Sequence, residues 1–457
     1  MGLDLNVLLV LLMFASFIAL LLSGYPVAFV LAGVALAFAL LGEVLNAASV
    51  EVDADLMTIG LLIERLYGTM SSYSLVPLPL FVFMGHMLDR SGVAVALLRS
   101  MQTALGRVPG GLALAVMAIG VVLAASTGII GASVALLGTL ALPAMLDDGY
   151  QTEFAVGTVA AAGCLGILIP PSIMLVLMAD QMRLSVGDLF VGAVIPGLVL
   201  AALYFLYIVV FSALRPELAP PVPREQRREV SPLRLAAELA RALVPPVFLI
   251  FAVLGSIFFG IASPSEAAGV GAAGATLLAL WNRSLDLRTL AEVSRRTART
   301  TSFIFAILMG ASGFAAVLRG LGGDPVIESA IAALPFGPSG VVLSLMLLVF
   351  LLGFFLDWIE ITLIVLPLVY PITRSLGIDP LWFTLLMAVC LQTSFLTPPV
   401  GPALFYLQGV APPGVELDHL YRGVIPFVLL QLLGIAILFL FPDLVTWLPE
   451  LMYGSSR

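Results

Sequence analysis

Lysine is absent from this 457-residue sequence, histidine and cysteine occur twice each, and charged side chains make up only 11% of it. A soluble domain carries roughly a quarter charged residues. With 61% hydrophobic residues and a mean hydropathy of +1.15, the chain lacks the polar side chains needed to cover itself in water. Its outer surface therefore faces lipid. Cys164 and Cys390 both lie inside apolar runs, which offers neither a disulfide framework nor metal-ligand spacing. The net charge of −8 gives no reason to expect a nucleic-acid partner. Neither a G-x-x-x-x-G-K-[ST] phosphate loop nor an H-E-x-x-H pattern is present, so any energy this chain uses is expected from an ion gradient and not from ATP hydrolysis within it.

What is abundant is apolar sequence in lengths that approach the ~20 residues needed to cross a bilayer. Spans are expected near 3–22, 25–42, 75–90, 151–180, 188–213, 242–262, 264–281, 300–318, 381–408 and 422–441. The first of these lacks a basic leader and a small-residue cleavage site, so it reads as a span and not as a cleaved signal. All 20 basic residues are arginine, clustered around Arg90–Arg107, Arg215–Arg241 and Arg283–Arg299. Because basic residues concentrate in short cytoplasmic flanks, an outside N-terminus is expected; it places 15 arginines in the cytoplasm and five outside. The acidic stretch 43–55, with Glu43, Glu51, Asp53 and Asp55, then falls outside. A proline-rich, charged segment at 215–241 reads as a cytoplasmic linker, and 57–68 and 286–299 as amphipathic arms along the interface.

Two further apolar regions are interrupted too early to cross. Leu112–Ala125 and Val134–Leu146 flank Ser126-Thr127-Gly128 and Gly131-Ala132-Ser133; each apolar arm is 13 or 14 residues. That is ~20 Å of helix against ~30 Å of hydrocarbon. A re-entrant hairpin near 112–147 is expected, with one kinked span as the competing arrangement. The same pattern recurs near 340–375, where Asp357 and Glu360 interrupt the apolar run. Two intramembrane carboxylates point to a cavity or a partner, and a spacing of three suggests one helical face. Within two full-length spans, Gly166–Ser172 and Thr393–Pro402 contain Pro170-Pro171 and Pro398-Pro399. Tandem prolines remove amide donors and clash with the preceding turn, so both helices break there. The freed carbonyls are tolerable only where protein or a hydrated cavity satisfies them.

The two halves repeat. A shift of 228 superimposes Pro143 on Pro371, Gly149 on Gly377 and Pro170-Pro171 on Pro398-Pro399; Val194-Ile195-Pro196 matches Val424-Ile425-Pro426 at 230. Each half has five crossings and one hairpin, and five is odd, so the second half is inserted upside down. Residues 1–214 and 242–457 thus form two inverted-topology repeats of an all-α polytopic membrane protein, about ten crossings plus two hairpins. This is the plan of secondary transporters that bind near the midplane where broken helices meet.

Oxygen ligands at such breaks, with little fixed charge, suit sodium. One candidate site combines Ser126, Thr127, Gly128, Gly131 and Ser133 with Gly166, Pro170 and Ser172. The other combines Asp357 with Thr393, Ser394, Thr397 and Gly401. Pro171, Pro398, Pro399 and Glu360 are candidates for contact with solute or for gating. Helix N-termini at the breaks offer amides to a solute carboxylate. Hydroxyls that only cap helix ends are the alternative. His86, in an apolar span, is open to either a proton-carrying or a packing role.

The motifs Pro79-Leu80-Phe81-Val82-Phe83-Met84-Gly85, Gly131-Ala132-Ser133-Val134-Ala135, Gly166-Ile167-Leu168-Ile169-Pro170-Pro171-Ser172 and Thr397-Pro398-Pro399-Val400-Gly401 resemble the large permease subunit of tripartite ATP-independent periplasmic (TRAP) transporters. Gly353–Glu360 is similar to the branch labelled mannitol/chloroaromatic. The resemblance implies sodium-coupled import of a small organic solute across the bacterial inner membrane by an elevator motion. It implies two partners: a small four-helix membrane subunit and a periplasmic solute-binding protein. It also implies that the family's sodium sites fall on the two residue groups above. A self-sufficient dicarboxylate or anion carrier and, further off, an intramembrane enzyme built on Ser133 are the competing readings.

Overall fold

The computed structural model describes residues 5–48, 52, 54, 57–58, 60, 67–68, 70–127, 130–223, 230–332 and 335–454, with the backbone alone at 124–127 and 332. Among the described residues the regular structure is entirely helical. The first half contains α1 (Leu5–Leu22), α2 (Val27–Ala47), α3 (Pro77–Arg90), α4 (Val93–Leu105), α5 (Gly111–Thr127), α6 (Ile130–Asp147), α7 (Thr152–Cys164), α8 (Ile173–Gln181) and α9 (Val186–Leu214). The second contains α10 (Pro232–Phe258), α11 (Pro264–Trp281), α12 (Leu287–Gly320), α13 (Gly323–Ala332), α14 (Pro338–Leu352), α15 (Trp358–Ser375), α16 (Pro380–Leu396), α17 (Pro402–Gln408), α18 (Leu417–Leu440) and α19 (Asp443–Tyr453).

Prolines set many of the starts. Pro77, Pro232, Pro264, Pro338, Pro380 and Pro402 all sit in the first turn of their helices. There the missing amide costs nothing and the fixed φ suits the helix. Acids and hydroxyls complete several caps. Ser263 and Glu266 form a reciprocal box at α11, and Asp286 and Asp379 accept from Thr289 and Trp382 at α12 and α16.

Each expected crossing finds a helix or a broken pair of helices. Among the described residues eight helices are long and apolar enough to cross a membrane, or nine with the bent pair α3–α4. Two of the eight, α6 and α15, are hairpin arms; each is 18 residues long, more than the 13 or 14 expected. The helix simply continues through the polar residues that interrupt the apolar run. The expected span at 264–281 is present as α11, but it is built from alanine and glycine and packs against α3 and α10.

Two boundaries differ from expectation. α12 is one 34-residue helix, ~50 Å long, so 286–299 is the outer end of a span and not a separate arm. The helix α10 begins at Pro232, which shortens the linker expected to reach 241. Most of the second expected arm, 57–68, lies outside the described residues, as do parts of 43–55. Three helices were not anticipated: α4, bent 52° from α3, the short α13, and the terminal α19.

Packing sorts the helices into two groups. α1–α3 pack chiefly with α10–α12, and α5–α9 with α14–α18, while α3 also packs on α5 and α12 on α15. Small residues let backbones close up inside the second group. A Cβ on Gly157 of α7 would lie 2.0 Å from the Gly423 carbonyl of α18, and one on Gly423 would lie 2.2 Å from the Glu153 carbonyl. Such reciprocal contact replaces the hydrophobic drive that lipid removes. Outward faces of α1, α9, α10 and α18 carry exposed Leu8, Leu206, Phe248 and Leu429.

Candidate functional site

Both long broken helices interrupt where the tandem prolines predict. α7 ends at Cys164, a 3₁₀ turn covers Leu165–Ile167, and α8 starts at Ile173. α16 ends at Leu396 and α17 starts at Pro402. Pro170–Pro171 and Pro398–Pro399 are both cis, so the two breaks share one backbone device.

The first hairpin folds back on itself and is not one kinked span. Its feet meet: the Leu112 amide at the start of α5 donates to Tyr150 Oη, beyond the end of α6, at 3.2 Å. Gly110 and Gln151, one at each foot, donate to the adjacent carbonyls of Ala219 and Leu218 at 2.8 and 2.9 Å. Gly110 has φ +72°, and a Cβ there would lie 2.1 Å from Ser212 Oγ, so only glycine makes this corner.

The hairpins seat crosswise on the breaks. α5 and α6 pack on α7 and its 3₁₀ turn, while α6 also packs on α17 of the other half. Correspondingly, α14 packs on α16 and α15 packs on α8. On the first hairpin, Ser133 is buried. A Cβ on Gly131 would lie 3.1 Å from the Tyr406 ring, so that ring covers the hairpin near its tip. Gly166 is buried in the 3₁₀ turn, and Ser172 Oγ donates to the Ile167 carbonyl across the break. Pro170 and Pro171 are also buried in this loop. The side chains of Ser126 and Thr127, and all of Gly128, lie outside the described residues.

At the second break the hydroxyls turn back on their own helix. Thr393, Ser394 and Thr397 donate to the carbonyls of Val389, Leu391 and Thr393 at 2.7–2.8 Å. A hydroxyl used this way keeps lone pairs free to meet a cation. Gly401 closes the loop: its amide donates to the Thr397 carbonyl at 3.1 Å, and a Cβ would lie 2.6 Å from the Phe395 carbonyl. The tip of the second hairpin touches the break directly, since a Cβ on Gly353 would lie 2.1 Å from Ser394 Oγ.

Asp357 and Glu360 are placed differently from the helical face expected of them. Asp357 is the N-cap of α15 and accepts from the Trp358 amide at 2.8 Å; Glu360 accepts from the Asp357 amide in a reciprocal capping box. The residue before a helix does not share a face with one three positions inside it. An Asp-x-x-Glu pattern ahead of an apolar run is the signal for this arrangement. The box holds two carboxylates at the positive end of α15.

Both carboxylates open onto a cavity of about 390 Å³ that is also lined by Val27, Phe355, Val400 and Tyr406. Tyr406 thus joins the cavity to the first hairpin, and Val27 brings α2 of the other packing group to its wall. Sequence reasoning missed Tyr406 and Tyr421; the latter donates to the Pro399 carbonyl at 2.9 Å. His86 is not in this cavity. It lies on α3, one turn before Arg90, whose guanidinium pairs with Glu292 of α12.

Two helical hairpins packed on broken helices, one of them lining an acid-bearing cavity, inside a lipid-facing bundle, define a membrane transport permease. Residues 14–444 match the family model described as the tripartite ATP-independent periplasmic transporter, DctM component. The chain belongs to this family and is a large permease subunit of a secondary transporter, not an enzyme. It is 33% identical to the C4-dicarboxylate TRAP transporter large permease protein DctM of Pseudomonas aeruginosa, over 84% of this chain and 88% of that one. Similarity to the ectoine/5-hydroxyectoine TRAP transporter large permease protein UehC of Ruegeria pomeroyi is 28%, over 88% and 92%. Among solved structures, the fold matches the Alcanivorax borkumensis YdaH transporter with a TM-score of 0.63 at 15% identity, covering 92% of this chain and 98% of that one.

Proposed function

We propose that this permease couples sodium entry to import of a small organic carboxylate. The observation that carries the reading is one cavity where two carboxylates, the second hairpin, its break and Val27 of the first half meet, and whose Tyr406 also covers Gly131 of the first hairpin. One sodium ion sits among Ser126, Thr127, Gly128, Gly131, Ser133, Gly166, Pro170 and Ser172. A second sits with Asp357, Thr393, Ser394, Thr397 and Gly401. The sodium charge offsets the acids beside the cavity, so the solute carboxylate binds only once the ions are present. Residues Pro171, Glu360, Pro398 and Pro399 shape the space the solute enters.

Residues 1–214 and 242–457 act as inverted repeats joined through 215–241, with the N-terminus outside the inner membrane. α5–α9 and α14–α18 move as one block against α1–α3 and α10–α12, in the manner of an elevator. A periplasmic binding protein delivers the solute, and a small four-helix membrane subunit braces the static group. The relatives named for C4-dicarboxylates and for ectoine support variation of solute on one permease plan.

Uptake into proteoliposomes holding this chain, with and without its small subunit and binding protein, tests the reading. Sodium-dependent uptake that requires both partners is expected. Uptake by the chain alone would replace the tripartite reading with a self-sufficient carrier, and uptake indifferent to sodium would remove the coupling ion.

A further inference from the structure

A second cavity, of about 520 Å³, lies far along the chain from the carboxylates, between α4, the turn into the first hairpin, the linker and the start of α10. Its lining includes Arg99, Gln102, Thr103, Arg107, Val222 and Leu235. We propose that it binds the phosphate headgroup of an anionic phospholipid.

Arg99, Gln102 and Thr103 are three and four residues apart on α4 and share one face. Arg107 follows from the turn just past that helix. Among the described residues neither guanidinium has an acid within ion-pair distance. The carboxylate of Asp148 hydrogen-bonds the Gln102 side chain and is not part of the lining. Two arginines facing one cleft, with no counter-charge among the described residues, form a site for an anion. Phosphate matches the planar guanidinium fork best.

The surroundings favour a lipid as the source. The linker roofs the cavity where the Val222 amide donates to the Gly106 carbonyl at 2.9 Å. Beside the arginines, Val108 and Leu233 are 48% and 83% exposed, and Val244 and Phe248 continue an exposed apolar stripe along α10. α10 passes from the charged turns of Arg234, Glu238 and Arg241 into its apolar span, which puts its first turns at headgroup level. Acyl chains follow the stripe while the phosphate sits between the arginines. Bound there, the headgroup links the base of the first hairpin to the start of the second half. The inference stands apart from the coupling ion and the solute.

The test uses the delipidated full-length chain, with retained lipid read by native mass spectrometry. Phosphatidylglycerol is expected to be retained in preference to phosphatidylethanolamine. Arg99→Gln/Arg107→Gln should weaken that retention about thirtyfold, while Arg241→Gln, outside the cavity, should not change it. The unmodified chain supplies a readout independent of any variant: phosphatidylglycerol should raise its melting temperature, and inorganic phosphate should not. Equal retention by the double variant and the parent would overturn the proposal. So would a melting temperature raised as much by inorganic phosphate as by the lipid, which would make the site one for a free anion.

Discussion

The two breaks share a backbone device but meet different surroundings. Around Pro170-Pro171, the loop from Leu165 to Ser172 is buried apart from a half-buried Ile169, and it closes on itself through Ser172. Around Pro398-Pro399, the loop from Thr397 to Val400 is partly open, its Pro399 is exposed, and its carbonyl is met from another helix by Tyr421. The hairpins differ in the same sense. Near its tip the first has Gly131 and a buried Ser133, while the second presents a carboxylate box opening onto the cavity. A repeated fold therefore does not mean two equal sites. The first break is built as a sealed joint and the second as a wall of the cavity.

Removing the charge from the open side should break this contrast most severely. Asp357→Ala deletes both the helix cap and the proposed ion ligand. Uptake should fall on the order of a hundredfold, as expected when a hydrogen-bonded charged group worth ~3 kcal/mol is lost. Asp357→Ser separates the two roles, since serine is a good N-cap. Expression and thermal stability should be near normal while sodium-dependent uptake stays low. Full uptake by the serine variant would make Asp357 a cap and nothing more.

Next in size are the close approaches at the tips. Gly353→Val should lift the second hairpin off Ser394 and cost about 1–3 kcal/mol of stability, the usual range for overpacking. Gly131→Ala, with 3.1 Å to the mobile end of Tyr406, should cost less, and melting temperatures of the two variants would rank them. Ser172→Ala follows, because it leaves a buried carbonyl without its partner at a cost of about 1–3 kcal/mol. Tyr421→Phe does the equivalent at the partly open break, where water replaces the lost donor, so about 1 kcal/mol or less is expected. If Tyr421→Phe proved the more damaging of the pair, the sealed-versus-open contrast would be reversed.

Much of this architecture was legible because the residues that interrupt helices do so by simple sterics. Pro170-Pro171 and Pro398-Pro399 announced both breaks, and the short apolar arms announced both hairpins. What escaped depended on neighbours distant in sequence. Tyr406 reads as one aromatic among many until α17 packs on α6 and places its ring over Gly131. Tyr421 is ordinary until its hydroxyl reaches Pro399. The carboxylate pair was noticed but misplaced, because a spacing of three is shared by a helical face and by a capping box. The outer part of α12 was blurred for another reason: an amphipathic stretch continuous with a span carries no break signal at the junction.

The hydrogen bonds from Gly110 and Gln151 to the linker bear on the order of assembly at the ribosome. Both feet of the first hairpin find acceptors in residues made only after the whole first half has been synthesised. Until Leu218 and Ala219 emerge, that hairpin has an unfinished base. The nascent first half is therefore held incomplete until translation reaches the junction, and the closing of its base coincides with the arrival of the half it must receive.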